Sequence, residues 1–379
     1  MDLDFTPAEE AFRAEARAWL HAHVPPVPLP SLETAAGFAA HRAWEAELAA
    51  DRWSVVHWPA RYGGRDAGLI RWLVFEEEYY AARAPGRVGQ NGVSLLAPTL
   101  FDHGTQEQRA RVLPSMATGE VVWAQAWSEP EAGSDLASLR SRAIRAAGGW
   151  RLSGQKTWSS RAAFADRAFG LFRSDPGAPR PHQGLTYLMF DLRAPGVTVR
   201  PIGRLDGKPA FAELFLDDVF VPDEDVIGEV GQGWRVAMST AGNERGLTLR
   251  SPGRFLAAAD RLHRLWRDKG RPAWARDRVA DALSGARAYQ LFAYAAASRF
   301  LDGESIGPES SMNKVFWSEF DIALHETALD LLGEEGESAD SGWAEAYVFA
   351  LAGPVYAGAN EIQRDIIAER LLGLPKGRR

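Results

Sequence analysis

The run Ser128–Asp135 has the composition of a loop that binds a flat polar ligand. It reads Ser-Glu-Pro-Glu-Ala-Gly-Ser-Asp and so combines two hydroxyls, a proline turn and a flexible glycine. It follows the apolar run Val121–Trp127, which predicts a strand. A second run, Gly154–Ser160, sets the indole of Trp158 beside further hydroxyls. Such segments can bring hydroxyls and backbone N–H groups close to one planar group.

Composition excludes several classes of protein. The 379 residues carry a formal charge of −7 with both signs interspersed, which argues against a nucleic-acid partner. The absence of cysteine excludes disulfides, thiolate metal sites and a cysteine nucleophile, and we expect no metal site. The first ten residues do not read as a secretory signal, and no apolar run of about 18 residues could span a membrane. A cytoplasmic protein is the expectation, and most of the 14 tryptophans are expected in the core or at an interface.

The first third of the chain predicts helices. Thr6 is the expected N-cap of the first helix, with Pro7 at its first position and Glu9 completing a capping box. The proline cluster 25–30 ends that helix. Further helices are predicted over three segments: Leu32–Asp51, Ile70–Ala82 and Gln106–Thr118.

The middle of the chain changes to short apolar or alternating runs punctuated by Gly and Pro, which predicts an all-β region of about a hundred residues. We expect a small barrel or sandwich there. The predicted strands are Val121–Trp127, Gly149–Leu152, Lys156–Ser159, Ala168–Arg173, Thr186–Asp191, Val197–Ile202 and Ala212–Phe220.

Helical patterns return after Gly233. Asn360 is predicted to cap the last helix, and the acidic run Gly333–Gly342 is predicted to be an exposed loop. The predicted helices are Trp234–Gly246, Ser251–Trp266, Ala273–Leu301, Ser310–Leu332 and Asn360–Leu372.

This helix–strand–helix order and a series of motifs resemble the acyl-CoA dehydrogenase family over nearly the whole chain. Besides the two runs above, the motifs are Gly184-Leu185-Thr186, Ala194-Pro195-Gly196-Val197, Phe215 to Pro222, Gly231-Gln232-Gly233-Trp234, Asn243-Glu244-Arg245 and Tyr356 to Arg364. The resemblance implies an α+β fold with an N-terminal all-α domain (1–120), a middle β-barrel or sandwich domain (121–228) and a C-terminal four-helix bundle (229–379).

The resemblance implies FAD as the cofactor. Trp127 and Ser128 match positions along the flavin edge, where donors favour the anionic reduced flavin. Trp158 matches the residue packed on the flavin face, and Ser160 matches the hydroxyl near N5. The remaining implied cofactor contacts are Gly133, Ser134 and Glu361. Without the resemblance, Trp158 reads as a core indole and the serines read as turn residues.

The family's reaction is the α,β-desaturation of an acyl-CoA thioester, in which a carboxylate removes a Cα proton while a Cβ hydride passes to flavin N5. Many members carry the catalytic glutamate where this chain has Ala357, which can offer only its backbone N–H to the thioester carbonyl. Other members place the glutamate where this chain has Glu244, so we predict Glu244 as the base. Ser134, Arg245 and Gly358 are implied substrate contacts. The plain alternative is that Glu244 is an ordinary helix residue in an ion pair.

Two family segments that reach a neighbouring subunit's FAD are missing. No Arg-x-x-Phe-Gly motif stands in Trp266–Arg276, and Leu331-Leu332-Gly333-Glu334-Glu335 replaces a Gln-x-x-Gly-Gly segment. This pattern resembles subunits of heteromeric acyl-CoA dehydrogenases of actinobacterial sterol degradation. We therefore expect a homotetramer or a heterotetramer with an acyl-CoA substrate and an electron-transfer partner such as electron-transfer flavoprotein. A non-catalytic half-site subunit and a flavin monooxygenase on the same fold remain alternatives.

Overall fold

The computed structural model describes residues 4–245, 251–304, 307–338 and 341–376, and the side chains of residues 243–245 lie outside that description. Its helices are α1 (Pro7–His23), α2 (Ala35–Ala50), α3 (Gly68–Ala81), α4 (Ala97–His103), α5 (Gln106–Ala117), α6 (Gly233–Arg245), α7 (Pro252–Asp268), α8 (Arg276–Leu301), α9 (Glu309–Leu332), α10 (Gly342–Leu351) and α11 (Asn360–Ile366). Its strands are β1 (Trp123–Ala126), β2 (Arg142–Ala146), β3 (Gly149–Ser160), β4 (Arg167–Arg173), β5 (Leu185–Asp191), β6 (Val197–Ile202), β7 (Phe211–Pro222) and β8 (Val226–Ile227).

The predicted fold class is confirmed, because helices precede and follow one β region along the chain. Contacts divide the chain into two compact units. The helical unit comprises Met1–Pro26, Ala67–Ala84 and Arg245–Arg379, and the sheet unit comprises Val27–Asp66 and Pro85–Glu244. The domain boundaries 1–120, 121–228 and 229–379 describe order along the chain and stay a prediction.

The sheet unit contains a single eight-stranded sheet. Its strands run in the order β6-β7-β3-β2-β4-β5-β8, and β1 pairs in parallel with β4. The two runs predicted as separate strands around Gly154 form one long strand, β3, and β2 was missed by the sequence analysis. The sheet's buried face is apolar and includes Leu152, Phe172, Phe190 and Leu214. β3, which carries the Trp158 run, pairs antiparallel with β7, and the register of this pair shifts at Leu152–Gly154 and at Lys156–Ser159.

The helical unit is built around α7, α8 and α9. Its core contains Phe255, Tyr289, Trp317 and Leu324. α7 lies close to α3 at Gly253, where a Cβ would stand only 2.5 Å from the carbonyl oxygen of Glu76. Glycine is required there because a side chain would force these two helices apart.

The predicted start of α1 is confirmed. Thr6 caps α1 in a capping box, since its Oγ1 accepts from the N–H of Glu9 and its own N–H donates to Glu9 Oε2 at 2.7 Å. The acidic run predicted as a loop instead begins with a 3₁₀ helix at Gly333–Glu337. Among the described residues, no helix is long and apolar enough to cross a membrane.

Candidate active site

The structure brings the two predicted binding loops together in the sheet unit. The N–H of Thr157 donates to the carbonyl oxygen of Ser128 at 2.9 Å, so the first loop lies directly beside the Trp158 run. Glu129 and Ala132 exchange two backbone hydrogen bonds of 3.0 Å each, which close a tight turn. That turn leaves Gly133 and Ser134 exposed. The loop is therefore fixed beside the residue that precedes Trp158 and has an exposed end at Gly133 and Ser134.

A buried ion pair anchors this loop to the sheet. Lys156 Nζ donates to Glu129 Oε1 at 2.9 Å and to the carbonyl oxygen of Leu171 at 2.8 Å. Glu129 also accepts from the N–H groups of Arg140 at 2.6 Å and Ser141 at 2.9 Å. Burial alone would raise the pKa of Glu129, but these donors and the ammonium group lower it. Burial lowers the pKa of Lys156 to about 8, so both groups are charged at pH 7.

Trp158 is held in a position that exposes its indole. β3 shifts register against β7 between Lys156 and Ser159, and Trp158 adopts a φ of 58°. A bulge of this kind re-aims a side chain, and the left-handed backbone is strained for a tryptophan. The ring is 60% exposed, with one edge contact to Phe211 at a centroid distance of 5.8 Å. The alternative interpretation of Trp158 as a core indole is therefore wrong.

A chain of polar groups joins Trp127 to α6. The indole N–H of Trp127 donates to the hydroxyl of Tyr187 at 3.1 Å, and Tyr187 lies 3.3 Å from the hydroxyl of Thr240. Thr240 in turn lies 2.7 Å from the hydroxyl of Thr99. Thr240 is one helical turn before Glu244 on α6, so this chain fixes the helix that carries the predicted base.

Gln125 is a site candidate that sequence reasoning missed. Its Nε2 is buried and has no hydrogen-bond partner among the described residues. Gln125 and Trp127 stand two residues apart on a strand and its extension, so they share a face. That alternation is the signal that could have identified Gln125. A buried amide donor without a partner indicates a missing acceptor, such as a ligand oxygen or nitrogen.

The Ala357 loop lies in the helical unit. Ala357 and Gly358 have consecutive positive φ angles of 56° and 83°. Among the residues that the structure describes, the N–H of Ala357 donates to no backbone carbonyl. Gln363 Nε2 donates to the carbonyl oxygen of Gly358 at 3.3 Å, which stabilises the loop. The loop thus leaves an N–H group available to a carbonyl oxygen.

Asn360 anchors this loop in a way that the sequence analysis did not predict. The N-cap position of α11 is Ala359, and Asn360 is the first helical residue, so the predicted cap is wrong. The physical reason is that the Asn360 side chain is occupied elsewhere. Its Oδ1 accepts from Lys314 Nζ at 2.7 Å and from Ser318 Oγ at 3.1 Å, which ties α11 to α9.

Four predicted site residues make few contacts that the structure describes. Glu244 and Arg245 end α6, and their side chains lie outside the described residues. Glu361 is exposed on α11, in the helical unit. Ser160 is half-buried, and its carbonyl oxygen accepts from Asn91 Nδ2 at 3.4 Å.

Family models match the chain along most of its length. The N-terminal, middle and C-terminal domain models of acyl-CoA dehydrogenase match residues 6–120, 124–219 and 231–372. The chain is 37% identical to "Acyl-CoA dehydrogenase IpdE1" of Mycolicibacterium smegmatis, over 97% of this chain and 98% of the relative. The chain belongs to the acyl-CoA dehydrogenase family. It is therefore an oxidoreductase of the class that acts on CH–CH groups, and members of this family bind FAD.

Solved acyl-CoA dehydrogenases show the same fold. The chain superposes on a structure described as "Tcur3481-Tcur3483 steroid ACAD" with a TM-score of 0.87 and 28% identity, covering 100% of both chains. It superposes on a chain of the ChsE4-ChsE5 complex from Mycobacterium tuberculosis with a TM-score of 0.86 and 26% identity, again covering 100% of both. Heteromeric complexes therefore occur among the relatives of this acyl-CoA dehydrogenase.

Proposed function

We propose that this chain is an FAD-dependent acyl-CoA dehydrogenase that introduces an α,β double bond into an acyl-CoA thioester. The observation that carries the proposal is the hydrogen bond from Thr157 to Ser128, which sets an exposed indole beside a loop of hydroxyls and amides. An isoalloxazine ring needs both a stacking surface and donors at its polar edge, and this arrangement supplies both.

The residues of the sheet unit fit FAD. Trp158 offers its exposed ring to the flavin face, and Ser128 and Ser160 offer hydroxyls to the flavin edge. The unpartnered Nε2 of Gln125 provides a further donor on the face that Trp127 shares. Gly133 and Ser134 form the open end of the loop, where a Cβ at Gly133 would meet nothing within 4 Å. When bound, FAD supplies the acceptor for the hydride that leaves Cβ.

Two groups of the chain act on the substrate: the N–H of Ala357 binds the thioester carbonyl, and the carboxylate of Glu244 removes the Cα proton. The N–H of Ala357 holds and polarises the thioester carbonyl, which makes the Cα proton more acidic. The Glu244 carboxylate takes that proton, and Arg245 and Gly358 contact the substrate. The methyl side chain of Ala357 cannot take a proton, so the base must come from another element. Thr240, one turn earlier on α6, fixes the position of that element through its hydroxyl contacts.

The test is anaerobic flavin reduction. We expect the purified, FAD-loaded protein to be bleached by at least one member of an acyl-CoA panel that includes straight, branched and steroid-derived acyl groups. Mass spectrometry should then find a product two hydrogens lighter than the substrate. Bleaching by no acyl-CoA, together with rapid reoxidation of chemically reduced flavin by O₂, would favour the flavin monooxygenase reading and contradict the proposal.

Trp158→Ala tests the flavin position directly. We expect the Kd for FAD to rise about two- to tenfold, since aromatic stacking contributes about 0.5–1.5 kcal/mol. The free energy of unfolding of the apoprotein should change little, because the ring is exposed. Trp274→Ala is the matched control, since that indole is 54% exposed at a position with no predicted flavin contact. Equal FAD affinities for the two variants would contradict the assignment.

A half-site role in a heteromer is the second candidate, and the 3₁₀ helix Gly333–Glu337 favours it. Glu334, Glu335 and Glu337 are exposed there. This acidic surface stands where family members place glycines beside a neighbour's FAD, and carboxylates repel a pyrophosphate. A heteromeric partner in place of a second copy of this chain would avoid that repulsion. A yellow, active homo-oligomer obtained from the chain alone would exclude this candidate.

An oligomer, with either an identical or a different chain, is part of the proposal. Large apolar side chains are exposed on α8 and α9: Leu283, Phe300, Leu301, Met312 and Phe316. Such residues are typical of interfaces between subunits. Light scattering of the purified chain, alone and with a co-expressed relative, would measure the stoichiometry.

Electron-transfer flavoprotein is the proposed electron acceptor, and a cytoplasmic location stays a prediction.

A further inference from the structure

Three helices of the helical unit bring together a charged and aromatic group that the reaction above does not use. We call it the arginine cluster. It consists of Arg254 and Arg261 from α7, Asp321 from α9, and Trp343 and Phe349 from α10. Arg254 and Arg261 stand seven residues apart, which is two helical turns, so they share one face of α7.

Arg254 forms an ion pair with Asp321, but one of its N–H groups has no hydrogen-bond acceptor among the described residues. Its Nη2 donates to Asp321 Oδ2 at 2.7 Å, and its side chain is 19% exposed. Its guanidinium carbon lies 5.6 Å from the ring centre of Phe349. Its Nη1 is buried and has no hydrogen-bond partner among the described residues. A buried guanidinium N–H without an acceptor is costly, so the position calls for one.

Arg261 has an aromatic partner but no acid. Its guanidinium carbon lies 4.3 Å from the ring centre of Trp343, and no carboxylate of the described residues forms an ion pair with it. Burial lowers the pKa of Arg261, and repulsion from Arg83, Arg254 and Arg264 lowers it further. The nearby Arg264 differs, because it pairs with Asp260 at 2.8 Å.

The cluster therefore carries more positive than negative charge. It holds two guanidinium groups and one carboxylate. Asp321 Oδ2 accepts from Arg254, and Asp321 Oδ1 lies 3.3 Å from His325 Nδ1, whose hydrogen bond of 2.7 Å is to the backbone carbonyl oxygen of Asp321. Burial alone would raise the pKa of Asp321, but Arg254 and His325 lower it to about 2, so this carboxylate stays ionised. One positive charge remains without a counterion in a partly desolvated site, which favours an anionic ligand.

The cluster continues toward the Ala357 loop through aromatic contacts. The ring of Phe349, which Arg254 faces, lies 6.5 Å from the ring of Tyr356. Tyr356 directly precedes Ala357, whose N–H is the proposed holder of the thioester carbonyl. The Ala357 loop and the arginine cluster thus belong to one compact unit and are linked by the ring contacts of Phe349 and Tyr356.

We propose that the arginine cluster binds a carboxylate at the far end of the acyl group, so that the preferred substrates are CoA esters of dicarboxylic acids. The guanidinium forks of Arg254 and Arg261 suit a carboxylate, which accepts two hydrogen bonds in one plane. The inference rests on the proposed function, because it takes the thioester to lie at Ala357.

The experiment compares matched pairs of CoA esters on the FAD-loaded protein. Hexanoyl-, octanoyl- and decanoyl-CoA are paired with adipoyl-, suberoyl- and sebacoyl-CoA, which have the same number of acyl carbons but end in a carboxylate. Calorimetry measures each Kd, and anaerobic bleaching measures each rate. We expect the carboxylate ester of at least one pair to bind about tenfold more tightly or better.

Variants assign that preference to the cluster. Arg261→Met and Arg254→Lys should each bring the ratio of the two Kd values close to one, with little effect on the ester that ends in a methyl group. Arg264→Met is the matched control and should keep the preference. Equal binding within every pair, or a preference that survives both cluster variants, would overturn the inference. If both esters bleach the flavin equally, the proposed function stands alone. If neither ester of any pair binds, the inference fails, and the branched and steroid-derived members of the acyl-CoA panel decide the proposed function.

Discussion

Glu244→Gln will slow acyl-CoA-driven flavin reduction by about 10²-fold or more, because a general base contributes a factor of about 10²–10⁴. The amide has nearly the shape of the carboxylate but cannot accept the Cα proton. FAD should remain bound, since the residues proposed to hold it lie on the β3 strand and the Ser128 loop. Anaerobic stopped-flow absorbance with the best acyl-CoA of the panel measures the rate.

The matched control for this variant is Glu229→Gln. Glu229 is exposed in the turn before α6, and the substitution removes the same charge from the same unit. It should leave the rate of bleaching unchanged. A Glu244→Gln protein that is reduced as fast as the control would refute Glu244 as the base.

Lys156→Met will destabilise the sheet unit by about 3–5 kcal/mol, because it leaves the buried Glu129 carboxylate without a counterion. The Lys156 side chain is fully buried, and Glu129 is 7% exposed. The Ser128 loop is attached to the sheet through this pair, so FAD affinity should fall as well. Chemical denaturation of the apoprotein and titration with FAD measure the two effects separately.

Lys269→Met provides a control of equal geometry. Lys269 and Glu335 form an ion pair of the same 2.9 Å length, but the side chains are 32% and 71% exposed. Removing that surface pair should cost about 0–1 kcal/mol. A double variant, Glu129→Gln with Lys156→Met, should recover part of the lost stability, since no buried charge remains. A Lys156→Met protein as stable as Lys269→Met would show that the buried pair does not hold the loop.

Local signals in the sequence predicted most secondary structure. The capping box at Thr6 fixed the start of α1, because a cap depends on residues three positions apart. The strands β4 to β7 were predicted to within about two residues from their apolar runs. The short strands β2 and β8 and the helices α4 and α10 were not predicted. β2 mixes arginine with alanine and pairs along its whole length with β3, so its pairing partner decides its conformation.

Asn360 shows why side-chain roles are harder to predict than elements. Asparagine before an apolar run is a good cap by local propensity. In the folded chain, Lys314 and Ser318 of α9 occupy its oxygen, and the helix starts one residue earlier than a cap at Asn360 requires. Those partners are more than forty residues away in the sequence, so local reasoning could not find them.

The sequence by itself determined the family, the order of helices and strands, and the residue types available at the two loops and at positions 244 and 357. These are properties of short motifs and of their order along the chain. Tertiary structure alone decided that Trp158 is exposed on a bulge, that Lys156 and Glu129 share a buried site, and that Trp127 reaches Thr240 through Tyr187. It also decided that Arg254 of α7 pairs with Asp321 of α9, whereas Arg261, two turns further along α7, lies against Trp343. The physical reason is that burial and charge balance depend on residues from distant segments, which only packing brings together.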